Sequence, residues 1–181
     1  MWTLLLLFLC SLSGCEEESV YIKYIDHIVV DYTRYLQAKE PTLRILDIGG
    51  RYISDVEQID VSYEIKKNMN FVESRRFYVM HSQRFLETIN SDKKIRPYLR
   101  NYPATIENIE LSFKFIGSDN ECVNSPHIAQ ISVSNGKLFY SIYNQEADQL
   151  ETFYVEPYEE AVRMIKGVSG SRTIIYSMIE N

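Results

Sequence analysis

From Ile109 to Val155 the sequence repeats one pattern, and that pattern leaves the chain least freedom. Ile109, Leu111, Phe113 and Phe115 alternate with Glu110, Ser112 and Lys114; further on, Ala129, Ile131 and Val133 alternate with Gln130, Ser132 and Ser134. A period of two puts the apolar residues of each segment on one side of an extended chain. Asn135-Gly136 then asks for positive φ at both central positions of a two-residue turn, the strongest short signal for a hairpin. Leu138–Tyr143 returns, Asn144–Gln149 turns again, and Leu150–Val155 follows. The result is a four-strand meander with an apolar face that other elements must bury.

Upstream helices supply the cover. Glu16–Glu18 and Ser19 read as a helix start, with acids at the positive dipole end and Ser19 as the cap. Tyr21, Tyr24, Ile25, Ile28, Tyr32, Tyr35 and Leu36 fall on one arc, with Lys23, Asp26, Thr33 and Arg34 opposite; Pro41 ends the helix. Thr42–Ile48 is a short strand that Gly49-Gly50 closes as a turn, and Ile59–Lys66 alternates as a half-buried strand. Asn70 caps a second helix to about Asn90, its stripe built from Phe71, Val72, Tyr78, Val79, Phe85, Leu86 and Ile89. Arg75 and Ser82 fall inside that stripe. A guanidinium there needs a carboxylate partner or a route to water, and its place one turn from the start favours snorkelling.

Lys93–Pro103 is a connector and Gly117–Pro126 a polar loop. Glu156-Pro157 opens a last helix through Tyr158, Ala161, Val162 and Ile165 to Gly167, while Thr173–Ile179 reads equally as an edge strand or a helical tail. The expected fold class is α+β. A single domain packs an antiparallel sheet, the meander plus one or two earlier strands, on a long helix flanked by N- and C-terminal helices. A strand–helix–four-strand order resembles cystatin-like folds, in which a curved antiparallel sheet wraps one long helix; the resemblance is topological and implies no inhibitory residues. Lys94–Leu99, Asn101-Tyr102-Pro103, Asn108–Leu111 and Glu156–Ala161 resemble stretches shared within a family of small bacterial proteins. That likeness implies no activity.

At the start, Trp2–Leu12 is an almost unbroken apolar run, followed by Ser13-Gly14-Cys15 and then Glu16-Glu17-Glu18. The run is shorter than the roughly 20 residues that span a bilayer. Leu12-Ser13-Gly14-Cys15 resembles the lipobox of a bacterial lipoprotein signal peptide. The resemblance implies loss of residues 1–14 and a diacylglyceryl thioether on Cys15. Glu16, not Asp, at the next position implies passage to the outer membrane where enterobacterial sorting applies. The map is then a signal peptide over 1–14, lipidated Cys15 and a short tether over 15–18, an α+β domain over 19–168 and a tail over 169–181.

Charge and motifs narrow the function classes. A formal net charge of −6 argues against nucleic acid, which needs a concentrated basic face. No basic run adds to membrane attachment, so the acyl chains alone would hold the protein. With Cys10 removed and Cys15 lipidated, Cys122 stands alone and no internal disulfide framework forms. Phosphate-loop, dinucleotide, zinc-helix and nucleophile-elbow motifs are missing from the sequence. His27, His81 and His127 lack ligand spacing, so neither cofactor nor metal is expected; His27 and His81 fall on polar helix faces.

Cys122 and His127, in one polar loop, are the nameable catalytic candidates, because a thiolate needs an imidazole within hydrogen-bond reach and a third group to orient it. Glu156, Glu159 and Glu160 at the last helix's first turn, and Asp60 and Glu64 on a strand's outward face, read as solvated carboxylates. The expected function is that of a membrane-anchored envelope lipoprotein, a non-enzymatic binding or assembly module. Its partner would be an envelope protein, a peptide or a cell-wall component. The alternative is an envelope-anchored hydrolase using Cys122 and His127.

Overall fold

A computed structural model describes residues 13–167, with side chains from Val20 onward. The apolar run through residue 12 and the tail 169–181, with its strand-or-helix alternative, lie outside the described residues. Helix α1 (Ser13–Gln37) leads into β1 (Arg44–Tyr52) and β2 (Val56–Lys66). Helix α2 (Phe71–Ser91) and a connector with two short 3-10 turns follow. The meander is β3 (Ile109–Ile116), β4 (Gln130–Ser134), β5 (Lys137–Asn144) and β6 (Gln149–Pro157), and α3 (Tyr158–Ile165) comes last.

The strands form one sheet in the order β1-β2-β3-β4-β5-β6. All neighbours are antiparallel except β2 and β3, which run parallel. Parallel neighbours need a long crossover, and α2 with its connector provides it. The α+β single-domain architecture is therefore present, with a mixed sheet. Ile59, Val61, Tyr63 and Ile65 of β2 and Ile109, Leu111, Phe113 and Phe115 of β3 are all buried on the helix side, in the faces their alternation sets. Asn135 and Gly136 both have positive φ (49° and 69°) in the β4–β5 turn.

Several local expectations need correction. Helix α1 begins at Ser13, so Ser19 is an interior residue and not a cap, and the stretch 15–18 is helical. Nothing there breaks a helix, and Glu is a good helix former, so the helix runs back through it. Thr33, expected outward, is buried because Tyr63 offers a partner: its Oγ1 lies 2.9 Å from the Tyr63 hydroxyl and donates to the Val29 carbonyl at 2.7 Å. Val72, placed in the apolar stripe of α2, is 58% exposed.

Gly49-Gly50 is not a turn either. Both residues pair within β1, opposite Asp60 and Ile59, and the chain reverses after Tyr52. The glycine is needed for close approach instead: a Cβ on Gly50 would collide with the Tyr52 hydroxyl and the Gln58 carbonyl.

The start of α2 fits its sequence signal. Asn70 Oδ1 accepts from the Glu73 N–H at 3.0 Å while Glu73 Oε2 accepts from the Asn70 N–H at 3.0 Å, a reciprocal capping box. Asn70→Ala is expected to lower stability by about 1 kcal/mol, read as a reduced urea midpoint with unchanged slope.

Candidate functional site

Cys122 and His127 sit in the loop between β3 and β4, which the backbone ties down at several points. Cys122 bridges Ile116 and Asn124 bridges Tyr143. The His127 N–H donates to the Asn124 carbonyl at 3.0 Å, and the Ile128 N–H to Met69 at 2.9 Å. Cys122 is a half-buried free thiol, and His127 Nδ1 is buried with no hydrogen-bond partner. Among the described residues no hydrogen bond joins the two. Nearby, the Tyr143 hydroxyl donates to Asp148, and that bond, with a smaller push from Cys122, raises the phenol to about 12. Thiol, phenol and carboxylate thus come near one another where the loop meets β5 and the β5–β6 turn, with the imidazole making no bond to the sulfur.

An open cavity of about 350 Å³ lies at the opposite end of the sheet, lined by Arg51, Glu57, Arg100, Asn101, Glu107 and Asn135. Its charges are largely satisfied internally. Arg100 Nε donates to both Asp55 oxygens at 3.0 and 3.1 Å, Arg100 Nη1 reaches Glu57 Oε2 at 2.5 Å, and Arg51 Nε stands 3.6 Å from Glu57. On the outward sheet face Asp60 accepts from Gln58 Nε2 at 2.7 Å. Burial, with the Glu110 carboxylate adding, raises its carboxyl above the usual range. Glu64, expected solvated, has a side chain only 12% exposed, packed between Arg44 and Lys114. Among the described residues no group of three His, Cys, Asp or Glu is arranged to hold a metal.

The most distinctive polar arrangement was legible only in half. Arg75 does not snorkel. It is buried and forks onto Glu156, Nε to Oε1 at 2.7 Å and Nη2 to Oε2 at 2.8 Å. Glu156 is not a solvated residue of the last helix: it lies inside β6, 3% exposed, and also accepts from the Tyr140 hydroxyl. A bidentate guanidinium–carboxylate pair satisfies most of what burial would otherwise leave unpaired. Ser82, also in the stripe, lies 2.9 Å from the Tyr158 hydroxyl of α3. These contacts lock α2 to the last strand and helix.

Above the locked pair the surface is aromatic. Arg75 stacks 4.4 Å over the Phe71 ring. Phe71 in turn touches Tyr140, Phe153 and Tyr154 at ring separations of 4.6, 6.0 and 5.2 Å. A register shift between Tyr140 and Ser141 pairs them with Tyr154 and Thr152, leaving Phe153 unpaired in a bulge. The bulge lets the neighbouring residues Phe153 and Tyr154 both reach Phe71. On the same elements, Val72 of α2 and Leu150 and Val155 of β6 are also exposed. Strand β6 is the last of the sheet, so among the described residues its outer backbone edge has no neighbouring strand. An aromatic shelf thus adjoins a free strand edge.

His81, expected on a polar face, is buried instead. Its ring packs 4.2 Å from Phe77 and 6.1 Å from Phe113, and its Nδ1 has no partner. His27 is exposed beside Asp31, as its helix position implies.

Among the described residues no helix is long and apolar enough to cross a membrane. Comparison with protein-family models, with curated proteins and with solved structures returned no match.

Proposed function

We propose that the protein is an envelope lipoprotein, held to the membrane by lipid on Cys15, whose β6 edge receives an extended apolar segment of another envelope protein. The observation that carries the anchor is the tetrad Leu12-Ser13-Gly14-Cys15 directly after an apolar run. The helical backbone supports it from the other side. Tyr21 is already core, and the axis between Cys15 and Tyr21 measures about 9 Å. A folded body therefore starts almost at the proposed attachment point. At the far side of the body, the free edge of β6 with Phe153 and Tyr154 suits strand addition, in which backbone bonds give affinity and side-chain pockets give selectivity.

Labelling cells with radioactive palmitate tests the anchor. Label on the native chain and none on Cys15→Ser is the expected pattern; an unlabelled soluble chain that keeps residues 1–14 overturns it. A photo-reactive residue in place of Phe153 tests the edge. Adducts with a second envelope protein are expected. An adduct of two copies of this chain, or an internal crosslink to its own tail, would replace the partner by the protein itself.

A further inference from the structure

The end of the domain from which α1 emerges differs chemically from the rest of the surface. Tyr21 on the first buried turn of α1 meets Tyr52 at the end of β1 (6.2 Å between rings) and Tyr98 in the connector (5.9 Å). Tyr24 meets Tyr98 at 6.1 Å. Next to Tyr52, at the tip of the β1–β2 hairpin, Ile53 is 84% exposed, more than any other large apolar side chain described. Tyr102, a few residues on from Tyr98, is 49% exposed.

Cations surround this cluster. Lys93, Lys94 and Arg96 are exposed on the connector, and among the described residues none of them forms an ion pair. Lys94 stands 6.0 Å from the Tyr24 ring and Arg96 lies 4.3 Å over Tyr102. The neighbouring Asp92 carboxylate is occupied with the N–H groups of Lys94 and Ile95, at 2.6 and 3.1 Å. Asp55 and Glu57 share Arg100, and Glu57 also faces Arg51 at 3.6 Å, so two acids meet two cations. Three cations against the Asp92 carboxylate still leave the connector locally positive, in a chain of net charge −6. This excess escapes a search for basic runs because it is short and Ile95 interrupts it.

Apolar tip, tyrosines and unpaired cations are the three side-chain classes that suit the boundary between headgroups and acyl chains. We propose that this end of the domain is a bilayer-contact surface. Ile53 enters the acyl–headgroup boundary, Tyr102 lies at headgroup level, and Lys93, Lys94 and Arg96 meet anionic phosphate headgroups. The proposal rests on the lipid-anchored reading for what brings the chain to the bilayer. Helix α1 fits it, since Cys15 lies only about 9 Å along the axis from Tyr21, at this same end. Glu16–Glu18 add negative charge to that helix, so attraction to anionic lipid comes from the connector and not from α1.

The test uses the full chain reconstituted in vesicles of phosphatidylcholine with or without phosphatidylglycerol, the acyl chains brominated to quench tryptophan. Trp2 is the one natural tryptophan, and Trp2→Phe silences it. Ile53→Trp then reports the tip, and Glu146→Trp reports the β5–β6 turn at the opposite end. Quenching at position 53 at least about twofold above that at 146 is expected in phosphatidylglycerol vesicles. Lys93→Glu, Lys94→Glu and Arg96→Glu together should abolish the difference. Equal quenching at the two positions in a palmitate-labelled chain overturns the surface and leaves the anchor standing. Selective quenching at 53 in an unlabelled chain supports the surface and removes the anchor. Neither label nor quenching removes both.

Discussion

Glu156→Gln, and separately Arg75→Ala, are each expected to cost about 3–5 kcal/mol of folding stability, read as a large fall in urea midpoint. Both side chains are at most 5% exposed, and they exchange two hydrogen bonds across 81 positions of sequence. Removing one partner leaves the other charged where water cannot reach it, and that stranded group carries most of the cost. Removing the charge from both should therefore restore most of the loss. Tyr140 complicates the exchange, because its hydroxyl donates to Glu156 and would be orphaned. The variant to compare is thus Arg75→Met, Glu156→Leu and Tyr140→Phe together, expected within about 2 kcal/mol of the native chain. Single substitutions that cost under about 1 kcal/mol would mean that water enters the pair, as it does at exposed ion pairs.

The same pair shows what a one-dimensional reading reaches and where it stops. Arg75 is conspicuous in the sequence because a charge interrupts an apolar stripe at helical spacing. Its partner is not, since Glu156-Pro157 followed by two more acids resembles a helix start and only the fold brings it back beneath Phe71. Period-two and period-3.6 patterns, the Asn70 cap and Asn135-Gly136 are local signals, and the strands and helices they mark within the described residues are present. Gly49-Gly50 is ambiguous for a physical reason: turns and close strand packing both select the residue without a Cβ. Thr33 and His81 lie at the margins of their helices' apolar arcs, where one neighbouring ring decides burial. Phe153 owes its role to a bulge, which depends on pairing with β5 and leaves no trace in β6 alone.

These placements also give the molecule two chemically different ends. Cys122, Tyr143 and Asp148 lie where β3 ends and the β5–β6 turn begins. The tyrosine cluster and the free cations lie where β1 ends and β2 and β3 begin. A lipid on Cys15 would put the second end against the bilayer and turn the first away from it. Among the described residues the outer edge of β6, running between them, has no neighbouring strand.

Acid should expose the burial of His81. Burial chiefly, then the positive charges of Lys39 and Lys67, pull its imidazole from 6.5 down to about 4. The unfolded chain takes up this proton near 6.5 while the folded chain refuses it until about 4, so the unfolded state binds more protons across that window. Stability from this group is thus fully present above 6.5 and is lost as the pH falls toward 4. Between pH 7 and pH 5 the loss amounts to about 2 kcal/mol. Carboxylates also contribute to acid sensitivity, so the informative quantity is a difference between two proteins. His81→Phe keeps an aromatic ring in the slot formed by Phe77 and Phe113 and removes the titration. Urea midpoints of the native chain should fall by the equivalent of about 2 kcal/mol more than those of His81→Phe over this interval. Parallel falls in the two proteins would place the imidazole in contact with water, free to charge at its ordinary pH.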